Sequence, residues 1–303
     1  AIDEPLEFES FSLVSSKGIV RAINVNEFDG YRFEQNASSG GMKGSWLATD
    51  SADSDNPPWA LYSERFTDFL QIRYRDPENN LEGVEIESAK SAIRSAWVSL
   101  GEMFRSALCL LEDIEPNEIK TYARREAGQW GLFLSDTLDN GAGYCSKYSQ
   151  LTSFQALCES LEGRLVKGVL LSDMHVINCR SSCHKCLRNY DNRLRHHELN
   201  WRLGLDLLRL MRGVGISGSF DTHWTDFLTN YVPGRLSGIL GVSLTPKVVN
   251  GNILYTGSSK GETFGLLPWH PFDIGSHAMF SAIDDAEDEL KTVIEFCPHQ
   301  FSV

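Results

Sequence analysis

Three cysteines fall within eight residues, Cys179, Cys183 and Cys186, and the octapeptide that carries them, Cys-Arg-Ser-Ser-Cys-His-Lys-Cys, is polar and basic. Such a run is a poor core segment, so close thiols need another reason. A Cys-x2-Cys turn lets two thiolates reach one ion, and zinc takes four nitrogen or sulfur ligands in a tetrahedron. Three cysteines leave one place to fill. His175, four residues ahead of Cys179, is the nearest candidate, with Cys145, Cys158, His184, His196 and His197 in reserve. His184 lies between ligands and reads as directed away. Neither His-Glu-x-x-His nor the His-x-Glu…Pro-Cys-x-x-Cys arrangement of deaminases occurs, so the expected cofactor is a structural zinc with no catalytic residues around it. Seven cysteines, odd in number and clustered, do not make a secreted disulfide framework. A cytoplasmic location is expected.

The charge pattern adds a second constraint. The net charge of −13 argues against a general nucleic-acid binder. From Arg164 to Arg212, however, ten basic residues face four acidic ones. A basic island in an acidic chain can track phosphates while the remainder keeps the protein soluble. No apolar run approaches the roughly 18 residues of a membrane span, and the first residues carry no signal-peptide pattern. The chain reads as a piece of a longer polypeptide.

The 303 residues are too many for one small core and suggest three modules, 1–83, 84–213 and 214–303, in an α+β fold. The first is β-rich, with strands expected at 8–14, 18–25, 31–34 and 66–74. The second is helical and carries the zinc site. Apolar residues recur at three- and four-residue spacing over 84–114, marking one long amphipathic helix whose packed face is ended by Pro116. A short buried strand at 130–135, a glycine loop and a helix at 146–161 follow. Strand, glycine loop and helix make an arrangement that can hold an anion, which makes Gly141 and Gly143 loop candidates, although a tight packed turn is the better reading. A helical segment is expected over 187–211, broken by the glycines after 212. The third module is a small α/β unit of turns and strands, with a hairpin on Asn250-Gly251, a helix at 279–290 and an edge strand at 292–296.

The motifs now add up to a resemblance. Cys183-x2-Cys186-Leu187-x2-Tyr190-x-Asn192-x3-His196-x2-Leu199-Asn200-Trp201-Arg202-Leu203 resembles the MrfA zinc-binding module of superfamily-2 DEAD/DEAH-box helicases and of anti-phage systems of the DISARM kind. Leu132-Phe133-Leu134-x-Asp136-Thr137-x3-Gly141-Ala142-Gly143-Tyr144 and His270-Pro271-Phe272 follow the same family order. The resemblance implies a helicase motor in cis or in trans and DNA, single-stranded or duplex, as partners. In the family a fourth cysteine often stands at the position of Ile177, and a carboxylate at that of Asn200.

The chain has no Gly-x4-Gly-Lys-Ser/Thr loop and no Asp-Glu-x-Asp/His box, so by itself it does not encode an ATP-driven motor. Glu118-Ile119-Lys120 is similar to the Glu-x-Lys half of a restriction-type metal site, but so short a motif often arises by chance, and it lies just past a helix end marked by Pro116 rather than in a clear strand. The expected nucleic-acid contacts are Arg188, Arg193, Arg195 and Arg202 on phosphates and Tyr190 on an unpaired base. Trp201, inside a leucine-rich segment, reads as core. The competing function is a protein-interaction scaffold without direct DNA contact.

Overall fold

A computed structural model describes residues 5–24, 32–35, 42–45, 61–75, 87–126, 129–214, 220–249, 252–272, 277–287, 290 and 292–301. The Asn250-Gly251 turn lies outside the described residues. The architecture is mixed α+β. Strands β1 (Leu6–Phe8), β2 (Phe11–Asn24), β5 (Leu61–Tyr74), β6 (Ile119–Glu126) and β7 (Gln129–Asp136) form a five-stranded sheet in the order β1-β2-β5-β7-β6, antiparallel throughout. Strands β3 (Arg32–Gln35) and β4 (Met42–Ser45) pair separately.

Expected strands 8–14 and 18–25 are in fact one long strand, β2, preceded by a tight turn at Glu9, which adopts a positive φ of 53°. Along β2, β5 and β7 the side chains alternate, and Leu13, Leu70, Ile72, Leu132 and Leu134 are buried on one face. That face packs on helix α1 (Glu87–Glu112). The amphipathic reading of α1 anticipated one packed face. Instead every residue from Ser95 to Arg105 is buried, because the sheet covers one side and helices α3 (Leu151–Ser160) and α5 (Trp201–Met211) cover others. Gly204 makes the α1–α5 crossing close, since a Cβ there would lie 2.9 Å from Ser99 Cβ and 3.0 Å from the Met103 sulfur.

Burial on all sides forces the polar residues of α1 into pairs. Glu102 accepts from Thr121 Oγ1 at 3.0 Å and from Asn192 Nδ2 at 2.9 Å, and it pairs with Arg105 at 2.7 Å. Asn192 thereby ties the segment after the cysteines to the central helix.

After the short helix α2 (Tyr144–Lys147), the expected helix at 146–161 begins at Leu151 as α3 and runs on as π-helical turns, Leu161–Leu170, to a short helix α4 (Asp173–Asn178). Two expectations need correction. The segment 187–200 is turns with a 3-10 stretch (Arg193–Glu198), and regular helix starts only at Trp201, where the Asn200 side chain accepts from the amides of Arg202 and Leu203. Residues 222–240, expected as turns and strands, are helical: α6 (Thr222–Asp226), π-helical turns (Phe227–Tyr231) and α7 (Val232–Leu240). Pro233 falls where the π-helical turns pass into α7, and the Leu228 carbonyl on the preceding turn accepts from the Tyr255 hydroxyl at 2.7 Å.

The chain ends in a four-stranded sheet of order β11-β10-β9-β8, built from β8 (Thr245–Val249), β9 (Asn252–Ser259), β10 (Glu262–Pro268) and β11 (Val293–Phe296), with helix α8 (His277–Glu287) against it. A carboxylate clamps this part to α5. Asp206, buried, accepts from Trp224 Nε1 at 2.7 Å and His270 Nε2 at 2.9 Å, and His223 Nε2 lies 2.8 Å from its other oxygen. Burial alone would raise the Asp206 carboxyl, but the two histidines hold it well below the usual carboxylate range.

Candidate metal centre and its surroundings

The glycine loop after β7 is a site already filled from within. Asp136, fully buried, places Oδ2 2.8 Å from the amides of Ala142 and Gly143 and 3.2 Å from that of Tyr144, while Oδ1 accepts from Cys145 N–H at 3.1 Å. Gly141 and Gly143 take positive φ, 78° and 86°, and a Cβ on Gly141 would overlap the Asp68 carboxylate. The loop amides are thus held by the protein's own carboxylate, so Gly141 and Gly143 serve the tight packed turn, and the alternative of an external anion on these amides is set aside. Asp136→Ala is expected to orphan these four amides and destabilise the fold by about 2–4 kcal/mol, measured by urea denaturation; an unchanged midpoint would show that water replaces the carboxylate.

That arrangement also bears on the restriction-type motif. Lys120 does stand on a strand, since β6 begins at Ile119, but the neighbouring Asp136 has its oxygens committed to amides.

The cysteine cluster is different, because its polar atoms converge on one another. The Cys183 carbonyl accepts from the amides of Cys186, Leu187 and Arg188 at 3.1, 3.2 and 3.0 Å, closing a tight turn. Within it the Cys183 amide donates to Cys186 Sγ at 3.0 Å. Cys179 Sγ lies 3.9 Å from Cys186 Sγ. Two thiolates bound to one tetrahedral zinc at about 2.3 Å stand roughly 3.8 Å apart, so this spacing fits a shared ion.

His175, on α4, completes the group. Its Nδ1 lies 3.0 Å from the Leu170 carbonyl, which can only accept, so the proton sits on Nδ1 and Nε2 keeps its lone pair. That Nε2 is buried and has no hydrogen-bond partner. An orphaned imidazole nitrogen facing thiols is what a metal ligand looks like without its ion, with the backbone carbonyl fixing the tautomer from behind. The ligand atoms of His175, Cys179, Cys183 and Cys186 all lie within 4.8 Å of one another. Hydrogen bonds from Cys179 and the Cys183 amide push the Cys186 thiol down, while Cys179, donating to Cys186 and buried, is pushed up.

The other sequence candidates stand apart from the cluster. Cys145 lies under the Asp136 loop and Cys158 is buried in α3, where burial raises its thiol to about 12. His184 and His197 are exposed, and His196 Nε2 faces Asn189 O and Asn192 Oδ1. Asp206, Asp221 and His223 also converge, but Asp221 pairs with Arg209 at 2.7 Å and the Asp206 oxygens face Trp224, His223 and His270.

Of the expected phosphate contacts, Arg202 is 1% exposed and donates only to backbone carbonyls, those of His223, Cys179, Arg180 and Val176. Its guanidinium cannot reach a phosphate. Trp201 is fully buried, its Nε1 donating to Cys179 O at 3.0 Å. Around the cysteine turn, Tyr190 is 78% exposed with the Arg193 guanidinium 4.4 Å from its ring centre. Arg188 donates to Ser182 Oγ, and Arg195 pairs with Glu198 at 3.0 Å while its Nη1 donates to Thr121 O on β6.

Residues 100–187 match the MrfA Zn-binding domain. The match begins inside α1, takes in β6, β7 and the Asp136 loop, and ends one residue after Cys186, so it contains all four residues of the cluster. Zinc is therefore the metal of this domain. No curated protein sequence matches the chain. Among solved structures, the crystal structure of the DUF1998 helicase MrfA bound to DNA aligns with 71% of this chain at 13% identity and a TM-score of 0.44. The chain spans 24% of that helicase's length. Among the described residues, no helix is long and apolar enough to cross a membrane.

Proposed function

We propose that this chain is a zinc-braced region of a DNA helicase, or of a subunit that works with one, and that it holds nucleic-acid backbone for a motor supplied in cis or in trans. Genome defence or DNA repair in the cytoplasm is the setting that the family resemblance suggests. The reading rests on one observation: the MrfA Zn-binding match falls over a converged group of one histidine and three cysteines. In this reading His175, Cys179, Cys183 and Cys186 hold zinc, which cross-links α4 to the cysteine turn and supplies rigidity, with no chemical step assigned to it.

Arg188, Arg193 and Arg195 then present charge to phosphates beside the braced turn, and Tyr190 offers an exposed ring. Each phosphate neutralised releases counterions, so affinity should fall steeply with salt. The double variant Arg188→Ala/Arg193→Ala is expected to flatten the slope of log K against log [salt] by about 1.4–1.8, read by fluorescence anisotropy on labelled DNA. An unchanged slope would remove these side chains from the interface.

A scaffold role is the second reading. Met174 and Ile177, one turn apart on α4, are 74% and 59% exposed, and such apolar exposure suits a protein partner. Weak DNA affinity with no salt dependence would favour it.

A further inference from the structure

The outer face of the five-stranded sheet, away from α1, has a composition that the zinc site does not explain. Register places Val14, Gln71, Phe133 and Tyr122 in one cross-strand row, and Ser16, Phe69, Ser135 and Lys120 in the next. Arg73 and Arg124 lie opposite Gly131 on one side, and Arg65 lies opposite Val20 on the other. From Val14 to Val20, Arg65 to Arg73, Lys120 to Arg124 and Gly131 to Ser135, the positions on this face therefore hold four basic residues and no acidic one. That is a local reversal in a chain of net charge −13.

The rings form a floor rather than a core. Phe69 and Phe133 have centroids 6.5 Å apart, both half-buried, and Tyr122 is 40% exposed beside them. Phe69 leans over Gly18, where a Cβ would lie 2.8 Å from its ring. Two strands separate β2 from β6, yet Ile19, Val20 and Arg21 line the same depression, of about 300 Å³, as Tyr122 and Arg124. The sheet therefore curls toward this side and makes a shallow aromatic trough with basic edges.

We propose that this trough binds single-stranded nucleic acid, with unpaired bases stacked on Tyr122, Phe133 and Phe69 and phosphates along Arg65, Lys120 and Arg124. Stacking is tolerant of sequence because every base has a π-face, and basic edges follow the backbone. A base pair presents no free face to such a floor, and a duplex is too wide for a depression of this volume, so unpaired strand is the occupant the shape selects. The inference rests on the proposed nucleic-acid role and specifies its strand form and place. The trough also adjoins the cysteine segment, because Arg195 donates to Thr121 O on the edge strand β6.

The test is anisotropy of labelled oligothymidylate, and of the same label on duplex, with Tyr122→Ala, Tyr122→Phe and Phe133→Leu in the 303-residue chain. Tyr122→Ala and Phe133→Leu are expected to weaken oligothymidylate binding by roughly tenfold each, with zinc content and duplex affinity unchanged. Tyr122→Phe keeps the ring and should bind as the wild type does. If the wild type binds oligothymidylate and the ring variants bind equally well, the trough is not the site, although the nucleic-acid role stands. If the wild type binds no nucleic acid, both readings fall.

Discussion

Cys186→Ser is expected to take the zinc content of the purified chain from one equivalent to none and to lower its stability by several kcal/mol. In zinc-finger peptides the ion is worth about 10–16 kcal/mol at neutral pH, because nothing else folds them. Here the cysteine turn already leans on a formed core, with Leu187, Leu199 and Trp201 buried and Asn192 bonded to Glu102 on the central helix. Part of the order is present without metal, so a loss of about 3–6 kcal/mol is expected. The unfolding should also become less cooperative, as α4 and the turn open before the sheet. His175→Ala leaves three thiolates and should weaken zinc retention against a chelator without abolishing binding. Metal analysis by mass spectrometry and thermal denaturation on the same samples decide the matter. A full equivalent of zinc in Cys186→Ser would move the ion elsewhere, and a full equivalent held as tightly in His175→Ala would show that Nε2 is a bystander.

The metal cluster was legible because its signal is local. Ligand chemistry and a two-residue spacing survive whatever the rest of the chain does, and His175 needed only to lie one helix back. Helix α1 was legible from its period, although not its burial on every side, since Ser95, Ser99, Glu102 and Arg105 look like a solvent face until Thr121 and Asn192 arrive to pair with Glu102. Strand β6 escaped reading for a related reason. Its inward residues after Ile119 are Thr121 and Ala123, small enough to sit close to α1, and its outward ones are Lys120, Tyr122 and Arg124. The alternation is there, but no run of large apolar residues marks it. The helical stretch 222–240 was hidden by Pro233-Gly234, a pair that reads as a break although here it follows π-helical turns and the helix runs on through it. Arg202 was grouped with the basic island because charge was counted along the chain. Its place one residue into α5, between Trp201 and Leu203, was the overlooked sign of burial.

Arg202 therefore carries the second large prediction. Its Nε donates to His223 O at 2.8 Å, Nη1 to Cys179 O at 3.0 Å and Arg180 O at 2.8 Å, and Nη2 to Val176 O at 2.9 Å. Burial pushes the guanidinium down to about 10, which still leaves it charged at neutral pH, and Trp201 lies 4.4 Å from it. Three of the four carbonyls belong to the segment that joins His175 to the cysteines, and the fourth to α6. One side chain thus fixes the backbone of the zinc site against the helix that precedes the C-terminal sheet. Arg202→Met keeps much of the volume and removes every donor, leaving buried carbonyls unpaired, at an expected cost of about 3–5 kcal/mol. Lysine should not rescue it, because one ammonium cannot serve carbonyls spread around a planar fork. Zinc should also exchange faster with a chelator, since the His175-to-Cys179 segment loses its anchor. The comparison that separates this role from phosphate binding is Arg193→Ala, at an exposed position beside Tyr190. That variant is expected to stay within about 0.5 kcal/mol of the wild type while losing DNA affinity, whereas Arg202→Met should lose stability first and DNA affinity only in proportion to the protein that unfolds. Denaturation midpoints and DNA titrations at low denaturant would read both, and a stable Arg202→Met protein with selectively weakened DNA binding would return this residue to the nucleic-acid interface.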